Sequence, residues 1–136
     1  MKKLLLFTLI VPAFFMAMPC SAQDTNDLIV EELSFCRAIE DREPVEVDTI
    51  FLNIVGRVYC FTKITGAVEP VTISHVWYLN DQETARTVLE IKSKNWRTWS
   101  SKKILKGWMG NWRVDVVSSD GVVLAGKEFT VTDSPE

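Results

Sequence analysis

The chain has 136 residues, which is enough for one domain with a single hydrophobic core and too short for a two-domain enzyme. It contains 15 basic and 18 acidic side chains, and a net charge of −3 is unfavourable for a nucleic-acid-binding protein. Six glycines, five prolines and 47% hydrophobic residues exclude collagen-like and disordered chains. We therefore expect one folded domain that binds no nucleic acid.

The N-terminus has the pattern of an export signal. Two lysines precede an uncharged apolar run over Leu4–Met18, which is shorter than the about 20 residues of a membrane-spanning helix. We predict that residues 1–22 are a signal peptide and that the exported protein is periplasmic, with no transmembrane helix after cleavage. An uncleaved N-terminal tether to the membrane is the alternative. A lipid on Cys20 is disfavoured because Pro19 precedes it, where a small residue is wanted.

Two cysteines, Cys36 and Cys60, remain once Cys20 leaves with the signal peptide. An even number in an oxidising compartment favours one disulfide, and closing a loop of about 25 residues would stabilise the fold by about 3 kcal/mol. The alternative is two buried free thiols in neighbouring strands. With His75, the only histidine, two thiols make an incomplete metal site, and we expect neither a metal nor a cofactor.

Hydrophobic residues alternate with polar ones over much of the chain, and this period indicates β-strands. The alternation is clear over 58–63, a segment that lies between Gly56 and Gly66, and again over 73–79 and 112–117. A shorter β-branched run over 88–91 is consistent with another strand.

The C-terminal part contains the pattern of a hairpin. Ser119-Asp120-Gly121 provides a turn after the strand at 112–117, and a returning strand begins at Val122 and ends at Val131.

The stretch Leu28–Ile39 fits neither the helical nor the strand period cleanly. Asp27 could cap a helix there, but we favour a strand that leads into a turn at Glu43-Pro44.

The strand pattern predicts an all-β fold. Seven or eight short strands over about 110 residues are typical of a single immunoglobulin-like, two-sheet antiparallel sandwich. We place this domain at residues 41–133, after a lead-in or first strand at residues 23–40. Trp77 and Trp112 occupy alternating positions of two strands and are expected in the core.

Charge is segregated along the chain. Asp24–Asp48 carries nine acids and two arginines, a net of −7, whereas Arg86–Arg113 carries eight bases and one acid, a net of +7. The basic segment also holds four of the five tryptophans, Trp96, Trp99, Trp108 and Trp112. Such a segment can bind anionic ligands, because cations bind phosphate or carboxylate and indoles stack on sugars. The alternative is that the two segments neutralise each other and the indoles lie in the core.

His75 is the only side chain that titrates near neutral pH without a perturbed environment. It shares a strand face with Trp77, and a buried imidazole is the ordinary outcome there. Nucleophile elbows, phosphate loops and metal-ligand spacings are absent from the sequence. We predict that the protein is not an enzyme, and a small hydrolase centred on His75 is a remote alternative.

Several short motifs occur in an order that resembles a known family. They are Arg42-Glu43-Pro44, Tyr59-Cys60-Phe61-Thr62, His75-Val76-Trp77-Tyr78, Trp96-Arg97-Thr98-Trp99-Ser100-Ser101-Lys102, Gly110-Asn111-Trp112-Arg113-Val114, Gly121-Val122-Val123-Leu124 and Phe129-Thr130-Val131. The arrangement, from about Val58 to Val131 with a weaker lead-in from Cys36, is similar to the bacterial domain of unknown function 2914. The resemblance implies a small β-sandwich, often exported or membrane-tethered, and it implies no activity, ligand or catalytic residue.

The resemblance also selects candidate site residues from these motifs. Trp77 and Trp112 are explained by the core, and Gly110 by a turn or a close backbone approach. No packing requirement explains Arg97, Ser100 and Lys102. They either hydrogen-bond the loops of the sandwich or line a groove with His75, and we take four residues as candidate ligand-binding groups: His75, Arg97, Ser100 and Lys102.

These observations predict an exported, non-catalytic β-sandwich. Its segment Arg86–Arg113 would bind an envelope protein or an anionic polymer or carbohydrate. The alternative is a structural or assembly protein that engages another protein through a sheet edge.

Overall fold

The computed structural model describes residues 27–134, and the predicted signal peptide lies outside the described residues. This part of the chain has nine strands and no helix, hence no helix that could cross a membrane. The strands are β1 (Ile29–Glu40), β2 (Glu43–Val47), β3 (Ile50–Leu52), β4 (Arg57–Thr65), β5 (Val71–Leu79), β6 (Gln82–Ile91), β7 (Asn95–Lys103), β8 (Gly110–Ser118) and β9 (Val123–Thr132).

The strands form two sheets, in the orders β2-β1-β4-β7 and β3-β9-β8-β5-β6. The predicted all-β sandwich is confirmed. Strands β1, β4 and β7 take the places of immunoglobulin strands A, B and E, while β5, β8 and β9 take those of C, F and G. The expectation of purely antiparallel sheets is wrong at one edge, because the short β3 pairs with β9 in parallel.

Aromatic rings fill the space between the sheets. Trp77 on β5 and Trp112 on β8 are both completely buried, and each contacts Phe129 of β9. The Trp112 and Phe129 rings are stacked with centroids 5.8 Å apart, and Trp77 meets Phe129 edge-on at 6.2 Å. Phe35 of the other sheet lies 4.4 Å from the same ring, so this cluster joins the two layers.

Local sequence explains the main turns. The predicted hairpin is β8–β9, and Gly121 in its turn has a φ of 85°. The strand favoured over Leu28–Ile39 is present as β1, Ile29–Glu40. Asp41 and Arg42 link β1 to β2, and both have positive φ, which is the geometry of a two-residue type I′ turn that follows the twist of the strands.

The β1–β2 hairpin folds back across the outer face of its sheet. The last residue of β1 that pairs with β4 is Cys36, opposite Tyr59, and β1 continues for four more residues, or about 13 Å. A straight hairpin would carry its turn away from Arg97, which lies opposite Lys63 in the other direction along β4. Glu43 nevertheless forms an ion pair with Arg97 at 2.6 Å. The hairpin therefore covers this outer face, and Cys36 beneath it has no exposed surface.

The structure corrects the disulfide prediction, because Cys36 and Cys60 are both free and buried. Cys36 lies opposite Tyr59, and Cys60 lies opposite Phe35, so the two thiols are one register step apart on adjacent strands. Successive side chains of a strand point to opposite faces. Cys60 therefore faces the core between the sheets, while Cys36 faces the hairpin, and no rotamer brings the sulfurs together. The alternative of two buried thiols in neighbouring strands is what the structure contains.

We expect both thiols to be unreactive in the folded protein. Burial raises the pKa of the Cys36 and Cys60 thiols, which removes the nucleophilic thiolate at neutral pH. Native protein treated with a thiol reagent should leave both residues unlabelled, and labelling should appear only after unfolding in denaturant. A peptide map containing Cys36 linked to Cys60 would contradict this prediction.

Candidate functional site

Strand β7 distributes the predicted site residues over two faces. It pairs along its whole length with β4, with Ser100 opposite Cys60 and Arg97 opposite Lys63. Because side chains alternate, Ser100 points into the core with Cys60, whereas Arg97 points to the outer face. The candidate residues from this one strand thus lie in different environments.

His75 and Ser100 are brought together across the core. Nδ1 of His75 lies 2.7 Å from the Ser100 hydroxyl, and Nε2 lies 3.2 Å from the Thr62 hydroxyl. Thr62 donates to the carbonyl of Thr98 at 3.0 Å, and Nε1 of Trp77 donates to Ser100 at 3.3 Å. These contacts join β5 of one sheet to β4 and β7 of the other, and His75 has no exposed surface.

The hydrogen-bond directions fix the tautomer of His75. The Thr62 hydroxyl proton is used on the Thr98 carbonyl, so its oxygen accepts from Nε2–H of His75. Nδ1 is then unprotonated and accepts from Ser100, whose oxygen accepts from Trp77. Every polar hydrogen in this series of hydrogen bonds has an acceptor only when the His75 imidazole is neutral. Burial accordingly lowers the pKa of His75 to about 4.

Arg97 lines a solvent-open basic cleft on the other side of β7. The basic cleft is bounded by five residues, Arg42, Lys63, Asn95, Trp96 and Arg97, and encloses about 460 Å³. The guanidinium carbon of Arg42 lies 5.5 Å from the centre of the Trp96 ring, and Arg42 donates to the Arg97 carbonyl at 3.5 Å. A second opening of about 360 Å³ shares Arg42, Trp96 and Arg97 and extends to Trp99 and Lys92. Glu90 also lines it and pairs with Lys92 at 3.7 Å.

The ion pairs around the basic cleft leave it with surplus positive charge. Arg97 is paired with Glu43, and Lys63 with Glu31 at 3.8 Å, and all four side chains are well exposed. Among residues 27–134, no carboxylate lies within 4.0 Å of the Arg42 guanidinium. The acidic and basic segments therefore meet here through one ion pair, which neutralises the cleft only in part.

Lys102 lies at the far end of β7 from the basic cleft. Its ammonium nitrogen is 4.8 Å from the centre of the Trp108 ring. The four candidate residues thus occupy three places: His75 and Ser100 in the core, Arg97 in the basic cleft, and Lys102 near the β7–β8 loop. Arg42, whose guanidinium lies over the Trp96 ring, is not one of the four candidates, although its motif Arg42-Glu43-Pro44 is among those that resemble the family.

A smaller cleft of about 190 Å³ lies between the β5–β6 turn and β8. Its cation, Arg113, is held by Asp81 at 2.8 Å and by Asp115 at 3.2 Å, and its guanidinium lies 4.3 Å from the centre of the Tyr78 ring. Gly110, with a φ of 134°, lets the Asn80 side chain approach to 2.7 Å from where a Cβ would be. The cation of this cleft is therefore already paired with neighbouring side chains, and these contacts hold the β5–β6 turn in place.

The fold defines the class of the protein as an immunoglobulin-like β-sandwich with a basic cleft on one sheet edge. Residues 70–131, from the start of β5 almost to the end of β9, match the model of a family described as "Protein of unknown function (DUF2914)". This match, over 62 of the 136 residues, confirms the resemblance found in the sequence. Arg97 and Trp96 lie inside the matched range, whereas Arg42 lies before it. No curated protein matches the chain.

Proposed function

We propose that this protein is an exported, non-catalytic binding module for an anionic polymer of the cell envelope, held in the basic cleft. The observation that carries the proposal is the convergence of Arg42, Lys63 and Arg97 around the exposed part of Trp96. Guanidinium groups bind carboxylate and phosphate through paired hydrogen bonds, and an indole face packs on a sugar ring. A charged carbohydrate offers both groups within one repeat.

The location of the basic cleft suits a long ligand. The second opening continues past Trp99 toward Lys92, between β7 of one sheet and β6 of the other. Both are edge strands, so this opening follows the open side of the sandwich. An extended chain could lie along it, with its anionic groups on the cations and its rings on the two indoles.

Binding to purified lipopolysaccharide and peptidoglycan tests the proposal. We expect binding that weakens as salt is raised, because the contacts are exposed and screened. Arg97→Ala should weaken it by about tenfold, the value of one charge-assisted hydrogen bond. Arg86→Ala is the matched control, because Arg86 is an exposed arginine of the same basic segment that pairs with Glu83 outside the basic cleft. Binding unaffected by salt, or equal losses in both variants, would remove the proposal.

Glu43→Gln is expected to tighten the same binding. The Glu43 carboxylate occupies the Arg97 guanidinium in the free protein, so an incoming anion must displace it. Removing this competitor should strengthen binding by about threefold, the scale of an exposed ion pair. Isothermal titration of the two proteins with the same polymer measures the change. Weaker binding by the variant would contradict the competition between the Glu43 carboxylate and the polymer for Arg97.

A sheet edge supports the second candidate function, engagement of another protein. Strand β7 has nine residues and pairs only with β4 among the described strands, at the edge where strand D pairs with E in immunoglobulin domains. An added strand could pair there through main-chain hydrogen bonds. Such binding should survive both high salt and Arg97→Ala, which separates it from polymer binding.

A further inference from the structure

Two loops meet at the end of the sandwich opposite the basic cleft. They are the β3–β4 loop, residues 53–56, and the β7–β8 loop, residues 104–109. The amide of Ile104 donates to the Gly56 carbonyl at 2.9 Å, and the Asn53 side chain donates to the Lys106 carbonyl at 3.3 Å. We call this paired structure the loop end. Strand β7 spans about 26 Å between the loop end and Asn95 in the basic cleft.

The loop end exposes large apolar side chains from both loops. Ile54 is 61% exposed, Leu105 43%, Met109 40% and Trp108 36%, whereas their neighbour Ile104 is buried at 3%. One loop residue anchors the loop in the core, and the others face solvent. Two loops that hydrogen-bond to each other thus expose four large apolar side chains at one end of the sandwich, and clustered apolar exposure of this kind marks interaction sites.

The apolar tip is surrounded by positive charge. Four basic residues lie in or next to the two loops: Arg57, Lys102, Lys103 and Lys106. Among the described residues, none of these four has a carboxylate within 4.0 Å. Acids near this end have other contacts, since Asp81 pairs with Arg113, Glu83 pairs with Arg86, and Asp133 accepts a hydrogen bond from Asn53.

We propose that the loop end docks on an anionic lipid surface. Trp108 would lie at the level of the headgroups, where tryptophan is favoured, and Leu105 and Met109 would enter the boundary of the acyl chains. The flanking lysines would face the lipid phosphates, and Lys102 already lies against the Trp108 ring. A uniform negative surface fits this charge pattern better than a protein surface does, because neither loop presents a carboxylate of its own.

Tryptophan quenching by brominated lipids tests the proposal in the full chain. All five tryptophans lie between Trp77 and Trp112, so the signal reports on the sandwich whatever the first 26 residues do. We expect quenching by vesicles of brominated phosphatidylcholine mixed equally with phosphatidylglycerol, and much less by brominated phosphatidylcholine alone. Trp108→Phe should abolish most of this quenching while the vesicles still bind.

Charge variants provide the second arm of the test. Neutralising Lys103 and Lys106 to glutamine should weaken vesicle binding by about thirty-fold, because each base near an anionic surface contributes roughly a factor of five. The matched control neutralises Lys94, on the β6–β7 connection at the other end, together with Lys127, which is exposed in the middle of β9. Equal quenching in Trp108→Phe and the parent protein, or equal weakening by the two lysine pairs, would overturn the proposal.

Discussion

Replacing Trp77 with alanine is expected to lower the free energy of unfolding by about 3–5 kcal/mol, the largest loss for any single substitution considered for this protein. The ring is completely buried, meets Phe129 edge-on and donates its N–H to Ser100. Its removal leaves a cavity between the sheets and deprives the Ser100 oxygen of its donor. Urea denaturation followed by circular dichroism measures the loss.

Trp108→Ala is the matched control for this prediction. Trp108 is 36% exposed, and the hydrogen bond that Trp112 makes to it uses the main-chain carbonyl, which alanine retains. We expect a loss of no more than about 1 kcal/mol. Similar losses for the two substitutions would contradict the arrangement of indoles described above.

Acidification from pH 6.5 to pH 4 is expected to destabilise the protein by about 3 kcal/mol through His75 alone. Burial lowers the pKa of His75 to about 4 in the folded state, while the unfolded chain keeps the ordinary value of 6.5. Between these values the unfolded state binds a proton that the folded state does not, so stability falls as the pH falls. Above pH 6.5 the imidazole is neutral in both states and this dependence vanishes.

A His75→Leu variant isolates this contribution. At neutral pH it should be less stable than the parent protein, because Thr62 and Ser100 lose their buried partner. The difference in unfolding free energy between the two proteins should shrink as the pH falls from 6.5 to 4, since only the parent loses stability through His75. The carboxylates titrate in both proteins, so their contributions cancel in this difference. A difference that stays constant over this range would show that His75 is not held neutral.

The sequence predicted those parts of the fold that follow from a local period. Alternation over 73–79 placed His75 and Trp77 on one face, and the structure has both in the core. The sequence pattern does not predict strand β7, because Trp96 and Trp99 are an odd number of residues apart and break the alternation of apolar and polar residues. In this edge strand, Trp96 lies on the core face opposite Ile64, and Trp99 lies on the outer face opposite Phe61. A strict alternation of apolar and polar residues does not predict such a strand.

The cysteine pairing and the composition of the basic cleft depend on contacts between residues far apart in the sequence. The spacing of Cys36 and Cys60 is compatible with a disulfide. In the register of β1 and β4, however, the two cysteines are offset by one residue, so their side chains point to opposite faces of the sheet. The motif around Arg97 predicts that residue as a candidate, yet its neighbour in the basic cleft, Arg42, comes from a hairpin 55 residues earlier. That contact depends on the hairpin folding back, and no local pattern predicts it.

The most direct test of binding in the basic cleft uses the indole resonances of the protein in a two-dimensional nitrogen–proton spectrum. The titrant is the delipidated core oligosaccharide of lipopolysaccharide, which carries phosphate and sugar but cannot form a membrane. The account predicts shifts of the Trp96 and Trp99 resonances, with those of the buried Trp77 and Trp112 unchanged. Shifts confined to Trp108, or none at all at low salt, would contradict it.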